Sequence, residues 1–313
     1  MNWLTWRQHR AEVYAVSAIF ALVTPILIVS GLGLASASQR LGAAECIGHP
    51  NLSNCEAIYR ALDAPYALIS NVLPWPVNLF PALLAMFVGA PLIARELEHG
   101  MFRTVWTQSM TRLRWFTTKL ALVLGGCVLA SLALSFLLTW WYTPYAQLLG
   151  KFNPAFFNID GLAPVARMIF AFALAVCLGA ALRRTIPAMA LTLFTFTGWG
   201  LITQTVLRPN YLPPLTLTGT DTLAPRNQDD WVLNAGVRDA AHHIVNPAQV
   251  AQTCGSAGPE ATNCIHAHGW TEFLVYQPAD RYWLFQSIEV GVFLLLAVAL
   301  VALTIWIVRR RLV

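Results

Sequence analysis

The sequence predicts an all-α membrane protein with six transmembrane helices. Three observations carry this reading. Of 313 residues, 57% are hydrophobic and only 11% are charged. Six apolar runs are each about as long as a bilayer core is thick. The basic residues gather in short segments on one side of those runs. Soluble domains carry roughly 25% charged residues, so a chain this poor in charge belongs in a membrane before any motif is read. The net charge of +5 is then the arginine excess that orients a chain in a bilayer, not a nucleic-acid signal. Beyond the spans, the sequence predicts an N-terminal interfacial helix, a cytoplasmic helix after the second span and an extracellular helical insertion before the sixth.

Residues 1–12 are basic and aromatic, with Trp3 and Trp6 one turn apart and Arg7 and Arg10 following. They read as a helix lying on the membrane surface, or as a frayed basic terminus. The first apolar run, 13–35, is longer than the roughly 7–15 residues of a secretory signal core. It therefore reads as an uncleaved span, although Ala35-Ser36-Ala37 resembles a cleavage site. Further runs cover 72–94, 118–142, 162–182, 186–207 and 284–308, each near the roughly 20 residues a spanning helix needs. The second carries Pro74, Pro76, Pro81 and Pro91, which predict kinks. The fifth carries Gly198-Trp199-Gly200 among Thr192, Thr195, Thr197, Thr203 and Gln204, a composition that suits close helix contact or a polar pathway.

Orientation follows from charge. The N-terminus, 95–119, Arg183-Arg184 and Arg309-Arg310-Arg311 hold 12 of the 20 basic residues, and such segments face the cytoplasm. Both termini are thus expected inside. Lysine is nearly absent, which suggests a GC-rich bacterial genome and a bacterial plasma membrane. The chain divides into 1–12, the spans and their connections over 13–207, an outer insertion over 208–283, and a sixth span with a basic tail over 284–313.

Cys46 and Cys55 share the first outer loop, and Cys254 and Cys264 the last. Pairs confined to loops that face an oxidising compartment read as two disulfides. The insertion is too long to be structureless and is expected to be a small helical cap clipped by the second bridge. His242, His243, His266 and His268 beside Cys254 and Cys264 supply zinc-ligand types, but a bridged sulfur cannot bind zinc as thiolate, so no metal site is expected. No His-Glu-x-x-His pair, nucleophile elbow or phosphate loop is present. No catalytic residue is therefore expected, and the chain is not expected to hydrolyse ATP by itself. Arg167 and Glu289 lie about one turn into the fourth and sixth spans. They are expected to pair or share a polar network, the alternative being that each snorkels to the headgroups.

The stretch 95–119 is the longest charged segment between apolar ones. Gly100 can end the second span's helix, and Trp106, Met110, Leu113 and Trp115 or Phe116 recur at helical spacing on one apolar face. Glu96 and Glu98 sit close to the membrane, where positive charge alone would not require them. The segment reads as a docking surface for a soluble partner, with a solvated basic loop as the alternative.

Three pieces resemble the ABC-2 type transporter permeases, particularly the actinobacterial kind: Trp3-Leu4-Thr5-Trp6-Arg7-Gln8-His9-Arg10; Pro91 to Gly100 with Phe102-Arg103 and Trp106-Thr107-Gln108-Ser109; and Asp280-Arg281-Tyr282-Trp283 with Phe285, Gln286, Ile288 and Glu289. Met101 and Met110 stand where the family usually has Thr and often has Pro. The resemblance implies a permease subunit of an ATP-driven exporter of drugs, lipids, glycans or peptides. It further implies a separate ATP-binding subunit that holds ATP and Mg and a dimer with a second permease, identical or not. Glu96, Glu98, Gly100, Arg103, Trp106, Thr107, Gln108 and Arg112 would form a coupling helix, and the translocation path would run near the second and fifth spans. Two other classes remain. One is a membrane-embedded enzyme using His242, His243, Glu272 and Asp280. The other is a non-transporting immunity or sensor protein.

Overall fold

Among the described residues, six helices long and apolar enough to cross a membrane, Arg10–Arg40, Pro74–Arg95, Thr117–Leu149, Ala163–Leu182, Thr185–Asn210 and Ala279–Arg309, fall on the six apolar runs of the sequence. The computed structural model describes residues 2–47, 55–98, 112–219, 229–255 and 259–311. The chain is a mostly helical, multi-pass membrane protein.

The first span belongs to one helix, Asn2–Arg40, whose only internal proline is Pro25. The basic aromatic stretch is helical from Asn2 and runs into the span without a break, because nothing before Pro25 interrupts the pattern. Past the span, a short helix Cys55–Asp63 is bonded back through Cys46–Cys55. Its buried Leu62 joins Trp141 and Tyr145 of the third span in one apolar cluster, and Trp141 Nε1 donates to Ser30 Oγ of the first span at 2.9 Å.

Prolines shape the second and fifth spans in the same way. The second is helical over Pro74–Leu84 and Ala90–Glu98, with a π-helical turn at Ala85–Gly89 between them. The fifth is helical over Thr185–Ile202 and then π-helical over Thr203–Leu207. In each, a proline lies two residues beyond the wide turn, Pro91 and Pro209. Proline has no N–H for the carbonyl four residues back and its ring crowds that carbonyl; a π turn absorbs the mismatch without breaking the helix.

The fourth span is the centre of the bundle. Seventy-two per cent of its apolar window is buried within the chain, against 11% for the first span. It is rich in alanine, and Gly179 lets it touch the second span directly: a Cβ there would lie 2.7 Å from the Ala90 carbonyl oxygen. Small residues at such a crossing bring helix backbones together in a bilayer, where van der Waals contact rather than water exclusion holds helices to one another.

The insertion before the sixth span is not the helical cap that the sequence suggested. Its described residues hold a three-stranded antiparallel sheet of β1 (Leu215–Gly219), β2 (Trp231–Arg238) and β3 (Thr271–Gln277) in the order β1-β3-β2. Two helices, Pro247–Cys254 and Pro259–Ala267, are joined by the Cys254–Cys264 disulfide. β3 wins its strand from a β-branched and aromatic run, Phe273-Leu274-Val275-Tyr276, and pairs on both edges with strands distant in sequence. Phe152, Phe157, Tyr282 and Phe285, with Tyr211, Leu212 and Trp231 packed on them, seat the insertion on the bundle.

Candidate functional site

Polar chemistry collects at two ends of the bundle. At the end carrying Arg183-Arg184, Glu98 closes the last turn of the second span. Its Oε2 accepts from the backbone N–H of Thr185 at 3.2 Å and from Thr185 Oγ1 at 2.8 Å. A carboxylate on the first N–H groups of a helix satisfies donors that have no partner within the helix, and favours the positive end of its dipole. The fifth span is therefore started by a residue of the second. Lys119, one of the basic residues of the central stretch, turns inward: it is 6% exposed and its Nζ donates to the Leu92 carbonyl at 3.4 Å. Of the expected docking residues, Glu96 and Arg112 lie on helices with side chains outside the description. Gly100, Arg103, Trp106, Thr107 and Gln108 lie outside the described residues altogether.

At the opposite end, where the insertion sits, Arg167 and Glu289 do not form the direct pair that was one of the two expected arrangements. Glu289 is bonded to Arg208 instead, whose Nε and Nη2 donate to its two carboxylate oxygens, both at 2.9 Å. The side chains are 2% and 1% exposed. Arg208 Nη2 also donates to Asn158 Oδ1 at 2.6 Å, and its guanidinium lies 4.1 Å from the centre of the Phe157 ring. The physical reason is reach and geometry: Arg208 presents its fork edge-on to the carboxylate, the bidentate arrangement favoured by planar guanidinium. Arg167 points elsewhere, donating from Nη1 to Asn78 Oδ1 at 3.2 Å, and feels Glu289 and Arg208 only through space. The missed residue was legible. Leu207-Arg208-Pro209 ends the fifth span at the depth of Glu289, yet a boundary drawn at 207 assigns Arg208 to a solvated loop. Burial, then the charge of Glu289, pushes the nearby Tyr211 phenol up to about 12.

The Asp280–Glu289 motif now has a job. Tyr282 Oη donates to Asp160 Oδ2 at 3.0 Å. Gln286 Nε2 donates to the Phe157 carbonyl at 3.1 Å, and its Oε1 accepts from Ala163 N at 3.2 Å. Gly161, with φ of 73°, lies against the Gln286 amide. Arg281 Nη1 donates to the Pro213 carbonyl at 2.9 Å. One turn and a half of the sixth span thus clamps the connection between the third and fourth spans and the base of the insertion.

Both expected disulfides are formed. His268 lies beside the bonded Cys254 and Cys264, but sulfurs bonded to each other are not thiolate ligands. Of the four residues of the enzyme reading, Asp280 stands apart: Glu272 is buried near the start of β3, opposite Val237, whereas Asp280 follows the far end of that strand, and a strand of that length spans roughly 20 Å. His243 is exposed beside Asp239.

Two larger cavities flank the bundle. One of about 620 Å³ opens between the first three spans and is apolar except for Glu12 and Ser17. The other, about 690 Å³, lies at the insertion end among Tyr142, Phe156, Trp283, Lys151, Asp160 and Asp229. Both volumes are in the range of small-molecule sites. Residues 17–208 match the model of a family described as ABC-2 membrane transporter related. No curated protein and no solved structure matches the chain.

Proposed function

The chain belongs to the ABC-2 membrane transporter related family, and from that premise we propose that it is the permease subunit of an ATP-driven exporter in a bacterial plasma membrane. A separate ATP-binding subunit would hold ATP and Mg. A second permease copy, identical or not, would complete the transport unit, with lipid around both. Both termini would be cytoplasmic. The cargo would be amphipathic: a drug, lipid or peptide.

The single observation that carries the reading is the family match, which runs from the first span to the end of the fifth. The sequence supports the division of labour, because it lacks a phosphate loop. The Glu98–Thr185 contact supports a route for coupling. A force applied by a partner at 96–112 would reach the second span along its own helix and the fifth through that carboxylate. Such coupling is a difference in interaction between two states, and both spans carry the wide turns that proline imposes.

The test is co-purification of the tagged chain from detergent, followed by substrate flux in proteoliposomes. A stoichiometric ATPase that is lost on Arg103→Glu is the expected result. A clean chain with no ATPase, even after crosslinking in the membrane, would refute the proposal.

A further inference from the structure

We propose that the insertion end of the bundle binds one monovalent anion of halide size, chloride in the cell, between the second, third and fourth spans beside Arg167. Arg167, Arg208 and Glu289 are 4%, 1% and 1% exposed. Arg208 already takes both carboxylate oxygens. Among the described residues these three buried groups are two cations and one anion, with Asp160, bonded to Tyr282, the next carboxylate, and a buried charge is costly and usually finds a partner.

Hydrogen bonding says the same thing independently. Among the described residues, Arg167 Nε is buried without a hydrogen-bond partner and can only donate; Arg208 Nη1, Trp199 Nε1 and Tyr211 Oη are also unpartnered but do not line the cavity beside Arg167. The nearest side-chain acceptors already take bonds, Glu289 and Asn158 from Arg208 and Asn78 from Arg167. What is left over at the cavity is the Arg167 charge and its unpartnered Nε.

Space decides the ligand. A cavity of about 20 Å³ is lined by Asn78, Ser131, Ser135, Asn158 and Arg167 among apolar side chains. A single water needs roughly 10–15 Å³, so the space admits one water or one ion slightly larger. A water would accept a bond and leave the charge; a halide answers both deficits. Ser135 Oγ is held to the Ile159 carbonyl at 2.8 Å, but the Ser131 contact with the Pro164 carbonyl is long, 3.4 Å, and its hydroxyl can turn to the ion.

The experiment uses the purified full chain in detergent. Equilibrium dialysis with radiolabelled chloride is run alongside thermal melts in sodium chloride, bromide, gluconate and sulfate at matched ionic strength. Expected are one bound chloride per chain, displaced by bromide and not by gluconate, and a melting temperature that rises saturably with chloride or bromide only. Arg167→Gln should abolish both; should that variant fail to accumulate, Ser131→Val, which fills the space and removes the hydroxyl, should weaken binding at least tenfold. Coincident melts in all four salts, absence of bound chloride, or binding unchanged in these variants would overturn the proposal.

Discussion

Replacing Glu289 with Leu leaves Arg208 charged, 1% exposed and reduced to Asn158 and the Phe157 ring for partners. Removing one member of a buried pair costs about 3–5 kcal/mol, because the other charge stays uncompensated. Replacing both by apolar residues of similar size is often nearly neutral. The two bonds at 2.9 Å place this pair in that class. Arg208→Met and Glu289→Leu should therefore each be severe, while the double variant should recover most of the loss, giving a coupling of about 3 kcal/mol or more. At roughly 2 °C per kcal/mol in a chain of this size, each single variant should melt about 6–10 °C lower. Tryptophan fluorescence of the chain in detergent follows the transition. The same cycle with Arg167→Met in place of Arg208→Met should show much weaker coupling to Glu289. Additive losses for Arg208 and Glu289, or equal coupling to both arginines, would refute the described geometry.

Other expectations concern separate parts of the molecule. Thr185→Val removes the hydroxyl that donates to Glu98 and should cost about 1 kcal/mol, the scale of a helix cap; hydrogen exchange in the first turn of the fifth span should quicken, and unchanged exchange would count against the contact. Gly179→Val drives a side chain into the Ala90 carbonyl and should cost about 1–3 kcal/mol by overpacking, read as lower yield and melting temperature than Gly198→Val, where the space beside the glycine is open. Alkylation of the denatured, unreduced chain should label Cys127 and Cys177 alone, and mass spectrometry after reduction should find all six cysteines labelled.

The spans were legible because a bilayer imposes a length and an apolarity that a single sequence displays openly. The disulfides were legible because each pair shares one loop. The sheet was not, although Leu215 and Leu217 alternate with Thr216 and Thr218 in β1. β3 is buried at Phe273, Leu274 and Tyr276, so its own pattern shows no alternation. Its partners lie far off in the chain, β2 with a register irregularity between Val232 and Asn234. Strand pairing over such distances leaves little local trace. Arg208 was lost for a different reason: a span boundary drawn from hydropathy stops at the first charge, and here that charge is inside. Glu98 reads in sequence as an outward docking group; its contact with Thr185 depends on how the second and fifth spans meet, which no local pattern encodes.

The Arg208–Glu289 pair also sets an order of assembly. The two residues lie 81 apart in the chain, and the whole insertion is synthesised between them. Until the sixth span emerges, Arg208 waits without its carboxylate at the end of the fifth. Arrival of Glu289 both neutralises that charge and brings the two feet of the insertion together. The pair is thus a latch thrown last, and because loop closure costs grow only slowly with length, what lies between its halves is free to change in size and shape while the bundle beneath stays shut.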